Sequence, residues 1–79
     1  MSPTIFFSGP YWFFFFSREE TRKHVHVMSA DGEAKFWIEP VVALADFKGL
    51  KKKQIRELQN LVESRRDEIE AAWKKHFGG

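Results

Sequence analysis

His24-Val25-His26-Val27-Met28 and Glu33-Ala34-Lys35-Phe36-Trp37 lie on either side of Ser29-Ala30-Asp31-Gly32, and the reading of this stretch decides the fold. Both runs alternate in polarity. Asp-Gly between them suits a tight type I′ hairpin turn, whose two central residues need positive φ. With Asp31-Gly32 as a two-residue loop, counting outward sets Ala30 opposite Glu33, Met28 opposite Lys35, His26 opposite Trp37 and His24 opposite Glu39. Side chains alternate between the faces of a strand. One face therefore carries Val25, Val27, Ala34, Phe36 and Ile38, which is a core face. The other carries His24, His26, Met28, Glu33, Lys35, Trp37 and Glu39. It groups imidazoles, an ammonium, carboxylates and an indole, and is the face on which to look for function.

Toward the N-terminus, residues 4–7 and 11–16 read as two more strands around Ser8-Gly9-Pro10, with β-branched and aromatic content. Phe13 and Phe15 fall on one face, and Trp12, Phe14 and Phe16 on the other. A strand apolar on both sides is usually covered twice. A C-terminal helix supplies one cover. A partner subunit is the candidate for the second, with a half-exposed aromatic row as the alternative. Residues 17–23 are polar and charged and read as a loop. Pro40 limits pairing beyond Glu39. Residues 41–46 read as a short extended segment and 47–49 as a turn. From residue 51 to 77 the period becomes helical, with Ile55, Leu58, Leu61, Val62, Ile69, Ala72, Trp73 and Phe77 near one stripe. Arg65 interrupts that stripe, which implies a bend near Ser64 or an Arg stem across the core edge. The expected fold is α+β: two antiparallel β-hairpins in one sheet, packed on one face by a long C-terminal helix. It is a single domain over residues 1–79, with the sheet within 1–46 and the helix within 50–77.

Length and composition set limits. A chain of 79 residues is one small domain whose core is marginal unless it is unusually apolar or completed by a partner. Nine Phe and three Trp can help supply that burial. With no Cys, disulfides and thiolate metal sites are excluded, and a cytoplasmic location is the expectation. The formal charge of +2 permits a local anionic partner without demanding one. The aromatic run at 13–16 is too short to span a membrane, and no signal peptide reads out.

Three groups of residues are candidates for chemistry or binding. His24 and His26, two apart on a strand, point the same way and begin a metal site. Such a site needs three or four ligands, and no third His is near, so the expectation is no metal and no cofactor. The same pair suits acid–base work, because an unperturbed imidazole titrates near neutrality. In a metal-free ribonuclease, His24 or His26 moves the proton, Lys35 steadies the phosphate and Trp37 stacks a base. Two solvated histidines on a sheet face are the plainer reading. Lys51, Lys52 and Lys53 oppose the dipole of the helix they begin, so stability does not explain them. An anionic partner such as nucleic acid does, as does a solvated run whose small penalty is tolerated. Trp12 and Phe14 are candidate contacts for a neighbouring small protein or a second copy, since contiguous apolar patches mark interaction sites.

The order Ser2-Pro3-Thr4, Phe13-Phe14-Phe15-Phe16-Ser17-Arg18-Glu19-Glu20, His24-Val25-His26-Val27, Asp31-Gly32-Glu33-Ala34-Lys35-Phe36-Trp37-Ile38-Glu39-Pro40, Gly49-Leu50 and Ala72-Trp73 with a terminal Phe77-Gly78 resembles the small bacterial domain of unknown function 4160. The resemblance covers nearly the whole chain, and the paired HVHV and DGEAKFW segments make it specific. It implies a stand-alone bacterial protein, often encoded beside a second domain of unknown function, 2442, in pairs resembling toxin–antitoxin modules. It carries over no catalytic residues. Trp12 stands where many members have Arg, which weakens an anion-binding role for the first hairpin. Lys51 stands where many have a Ser cap, which favours fraying of the helix start. The resemblance makes the expected function a component of a toxin–antitoxin-like pair. It would bind a small protein partner, with RNA as a second candidate, through the His24, His26, Lys35 and Trp37 face. A metal-free ribonuclease and a structural interaction module without catalysis are the alternatives.

Overall fold

Five short strands and then two helices follow one another in the computed structural model, which describes residues 3–16 and 22–78. The strands are β1 (Thr4–Ser8), β2 (Tyr11–Phe14), β3 (His24–Met28), β4 (Glu33–Trp37) and β5 (Ala43–Lys48). They lie in sequence order across one sheet, each antiparallel to the next. Helices α1 (Lys52–Ser64) and α2 (Arg66–Phe77) pack against one face. The fold is α+β. Phe13, Phe15, Val25, Val27, Phe36 and Ile38 of the sheet meet Leu58, Val62, Ile69 and Trp73 of the helices in the buried core. That matches the alternation on the strands and the stripe on the helices.

The β3–β4 register differs from the sequence reading by two residues. His24 is opposite Trp37, His26 opposite Lys35 and Met28 opposite Glu33. The loop therefore has four residues rather than two. Ser29 N–H donates to the Gly32 carbonyl at 2.9 Å, and Asp31 N–H donates to Ser29 Oγ at 3.2 Å. Neither Asp31 nor Gly32 has positive φ. Gly32 is required for another reason: a Cβ there would overlap the carbonyl oxygen of Lys48. A slip of two residues leaves every side chain on its face, because the strand period is two. Val25, Val27, Ala34 and Phe36 are accordingly all buried.

Two further expectations are corrected. The sheet does not stop at 46 after two hairpins. Phe47 and Lys48 pair with Ala34 and Glu33, so residues 43–48 form a fifth strand, and Gly49, at φ 80°, makes the turn alone. A bulge leaves Ala45 out of the pairing between Asp46 and Leu44, which breaks the alternation that would have marked the strand. The single long helix is two. Arg65 leaves helical geometry at φ −113°, ψ 21°. It sits three residues after buried Val62, on the apolar stripe. The break lets its guanidinium reach the rim, where it bonds Glu68 at 2.9 and 3.0 Å and lies 3.5 Å from the ring centroid of Phe6. The predicted bend near Ser64 and the Arg stem at the core edge both occur. The predicted loop at 17–23 lies mostly outside the described residues.

Candidate functional site

The face of the sheet away from the helices carries its own side-chain layer. Its central row runs across four strands in register: Phe14, His26, Lys35 and Asp46. On one side of this row lie Trp12, Met28, Glu33 and Lys48, and on the other His24, Trp37 and Ala43. The aromatic members stack on one another. Trp12 and Phe14 have ring centroids 4.0 Å apart, Phe14 and His26 5.5 Å, and Phe16 and His26 4.3 Å. Trp12 Nε1–H donates to Thr4 Oγ1 at 2.8 Å, which ties this layer to β1. Phe14 is only 2% exposed, although it lies outside the helix-covered core. The aromatic row is thus a second small cluster, and Phe16 at its end is 43% exposed.

Each candidate from the sequence has a definite place. His26 and Lys35 are directly opposed; both are partly accessible, and so are Trp12 and Trp37 on other strand positions. Arg22 lies 4.2 Å and Lys35 4.5 Å from the centroid of the Trp37 ring, so the indole carries two cations. His24, read as a member of the accessible face, is fully buried. Its Nδ1–H donates to the Arg22 carbonyl at 2.6 Å. Its ring packs edgewise on His26 at 5.0 Å, on Trp37 at 5.7 Å and on Trp73 of α2 at 5.2 Å. At this end of the sheet the two side-chain layers meet through His24. Phe15 also packs on Trp73, at 5.3 Å, on the core side.

Lys51, Lys52 and Lys53 are exposed at the start of α1 and lie outside the aromatic face. Lys51 occupies the N-cap position. Its N–H donates to Gln54 Oε1 at 2.8 Å, which is half a capping box. The other half is missing because an ammonium accepts no hydrogen bond. Gln54 in turn donates to Asp31 Oδ2 at 3.0 Å, locking the helix start to the β3–β4 loop.

Around His26 and Lys35 the structure gathers Phe16 and Glu33, which the sequence reading placed on these faces, and adds Asp46, which it did not. Phe16, His26, Glu33, Ala34, Lys35, Asp46 and Phe47 border a cleft of about 210 Å³. Asp46 joins this face through β5, whereas Phe47, opposite core-facing Ala34, belongs by alternation to the other face. Phe16 had a signal, its two-residue spacing from Phe14. Arg22 had none beyond its polar surroundings. Among the described residues, no group of three or more His, Asp and Glu side chains is placed to hold a metal ion. No helix among them is long and apolar enough to cross a membrane.

Residues 11–74 match the family model of a domain of unknown function, DUF4160. The chain belongs to that family. No curated protein and no solved structure matches it. The DUF4160 match begins at the first residue of β2 and ends within α2. It therefore includes the whole central row and the cleft, and excludes β1. The residues that distinguish the open face belong to the DUF4160 domain itself.

Proposed function

We propose that this DUF4160 domain is the partner-binding component of a bacterial, cytoplasmic module of toxin–antitoxin type, and that a small protein docks on the open sheet face. The observation that carries this reading is the second aromatic layer. Trp12, Phe14, Phe16 and His26 form a continuous cluster on the face that neither α1 nor α2 covers among the described residues, bordered by Trp37 with Arg22 and Lys35. Interface centres are enriched in aromatic residues and Arg, and they combine apolar anchors with a few placed charges. The resemblance to small domains encoded in pairs supplies the kind of partner, a second small protein from the neighbouring reading frame.

The ribonuclease alternative draws less support. His24 is buried and its Nδ1–H is spent on a backbone carbonyl, so it is not placed to exchange a proton with a polynucleotide. His26 and Lys35 serve better as binding groups. The test is co-expression with the neighbouring reading frame, followed by affinity capture and titration. Trp37→Ala and Lys35→Glu should each weaken the complex about 10-fold or more while leaving the melting temperature within a few degrees. Undiminished capture by both variants would remove the open face from the interface.

A further inference from the structure

We infer that the outer edge of β1 pairs with β1 of a second copy of this chain, about a two-fold axis at Phe7. This stands apart from docking of a protein partner on the open face, because it uses backbone at the border of the sheet. Among the described residues β1 and β5 each pair with one neighbour only. An unpaired edge is a template for another strand, and proteins block such edges with charge, bulges or side-chain cover. Strand β5 has all of these: Asp46 and Lys48 carry charge, Ala45 bulges out of the pairing, and the Phe47 N–H donates to Asp46 Oδ1 at 2.9 Å. Strand β1, Thr4-Ile5-Phe6-Phe7-Ser8, has no charged residue. Its irregularity lies between Thr4 and Phe6 and leaves Phe6, Phe7 and Ser8 in regular register. Phe7 is 67% exposed, the most of the large hydrophobic side chains described.

The hydrogen-bond phase puts the axis at Phe7. Gly9-Pro10 is a two-residue loop, with Gly9 at φ 56°, and Ser8 is opposite Tyr11. The residues flanking such a loop bond to each other across the turn. Bonded and unbonded pairs alternate along an antiparallel ladder, so Phe7 and Trp12 form the next, unbonded pair. The N–H and C=O of Phe7 therefore point to the free edge. A two-fold axis there lets each Phe7 N–H donate to the carbonyl of its counterpart, and the contact closes with two copies. Counting outward sets Phe6 of each copy opposite Ser8 of the other. Phe6 is held by Phe13, with ring centroids 4.5 Å apart, and by the Arg65 guanidinium, 3.5 Å from its ring centroid. Ser8 is small enough to leave that arrangement in place, and the large–small match occurs twice. On the open face the two Phe7 rings come side by side, in the row that continues through Trp12 and Met28. An unrelated strand gains the backbone bonds alone, whereas a second copy adds the side-chain matches without opposing any like charges.

Sedimentation equilibrium of the full chain, over about a hundredfold range of concentration from the micromolar upward, should show monomer and dimer exchanging. In hydrogen exchange the Phe7 amide should gain protection as concentration rises, and the Phe47 amide should not. Phe7→Lys sets two ammonium groups opposite each other at the axis. It should raise the dissociation constant about 10-fold or more and keep the wild-type melting temperature of the monomer. Trp37→Ala, on the open face, should leave the dissociation constant unchanged. A chain that stays monomeric across the range, or a dimer that withstands Phe7→Lys, would overturn the inference. A dimer lost with Trp37→Ala would overturn it in favour of association through the open face. If Phe7→Lys does not fold, wild-type exchange decides, and Phe7 protection that is constant with concentration overturns the inference. Protection of Phe7 only on adding the neighbouring small protein overturns it as well and gives the edge to that partner. Capture of the small protein by Phe7→Lys reads the docking proposal separately, since this variant keeps Lys35 and Trp37.

Discussion

Gly32 and His24 show how a residue type can be right for a reason the sequence does not display. The Asp31-Gly32 pair marks a hairpin, and a hairpin is there, but Gly32 does not use left-handed backbone. It is needed where β4 starts beside the backbone at Lys48 and Gly49. Gly32→Ala should therefore destabilise by about 1–3 kcal/mol, the range for forced overpacking, although alanine is at ease in its backbone conformation. A urea titration measures this, and wild-type stability would show that the two backbones can separate freely. His24 illustrates the converse. Strand alternation placed it beside His26 on an accessible face, and a helix residue 49 positions later, Trp73, closes over it. His24→Ala should cost about 2–4 kcal/mol as a large-to-small change in a packed site. His26→Ala, on a partly accessible residue, should cost less than about 1 kcal/mol. Equal losses in thermal melts would mean that the two histidines share one environment.

At the scale of elements, periodic signals were legible and interruptions were not. The alternation in β3 and β4 and the stripe in the helices follow from sequence, because each repeats over several residues. Strand β5 reads in sequence as an extended segment and a turn, since one bulged residue, Ala45, breaks its alternation. The cleft is illegible for the same reason, because Asp46 reaches that face only through this strand. The helix break was half legible. Arg65 on an apolar stripe signals trouble, but not that Phe6 of β1 would receive its guanidinium. Arg65→Ala should cost about 1–2 kcal/mol, from loss of a close cation–π contact and a weaker surface pair with Glu68. In a double-mutant cycle with Phe6→Leu, the coupling should exceed that measured with Glu68→Gln. The start of α1 offers a gain instead. Lys51 has the extended backbone of an N-cap, φ −84° and ψ 159°, and no oxygen to cap with, and the first turn has no acidic residue. Lys51→Ser supplies the acceptor and removes a cation from the positive end of the helix. It should raise stability by about 1 kcal/mol, read as a higher urea midpoint.

The molecule as a whole is a sheet with aromatic side chains on both faces and helices on one. Domains of this size have about 4–12 kcal/mol of net stability, from the usual 0.05–0.15 kcal/mol per residue. Adjacent residues of one short segment then have opposite duties. Phe15 is buried against Trp73 and Phe77 of α2, with centroids 5.3 and 5.8 Å away. Phe16, the next residue, is 43% exposed and meets Phe14 and His26 on the open face. Phe15→Ala should remove about 3–5 kcal/mol, the cost of emptying a packed aromatic site, and so a large part of the total. Its signature is a collapse of the melting transition before any binding can be measured. Phe16→Ala removes a ring already half in water, so it should cost less than about 1 kcal/mol and leave a cooperative transition. What it should lose is association: capture of the partner protein should fall while the fold persists. If Phe16→Ala unfolds the chain as Phe15→Ala does, the aromatic row on the open face is a second core that holds the sheet together. If it changes neither stability nor association, recognition lies elsewhere on the domain. The proposed division, with one aromatic face holding the fold and the other meeting partners, requires the two neighbouring variants to fail in these different ways.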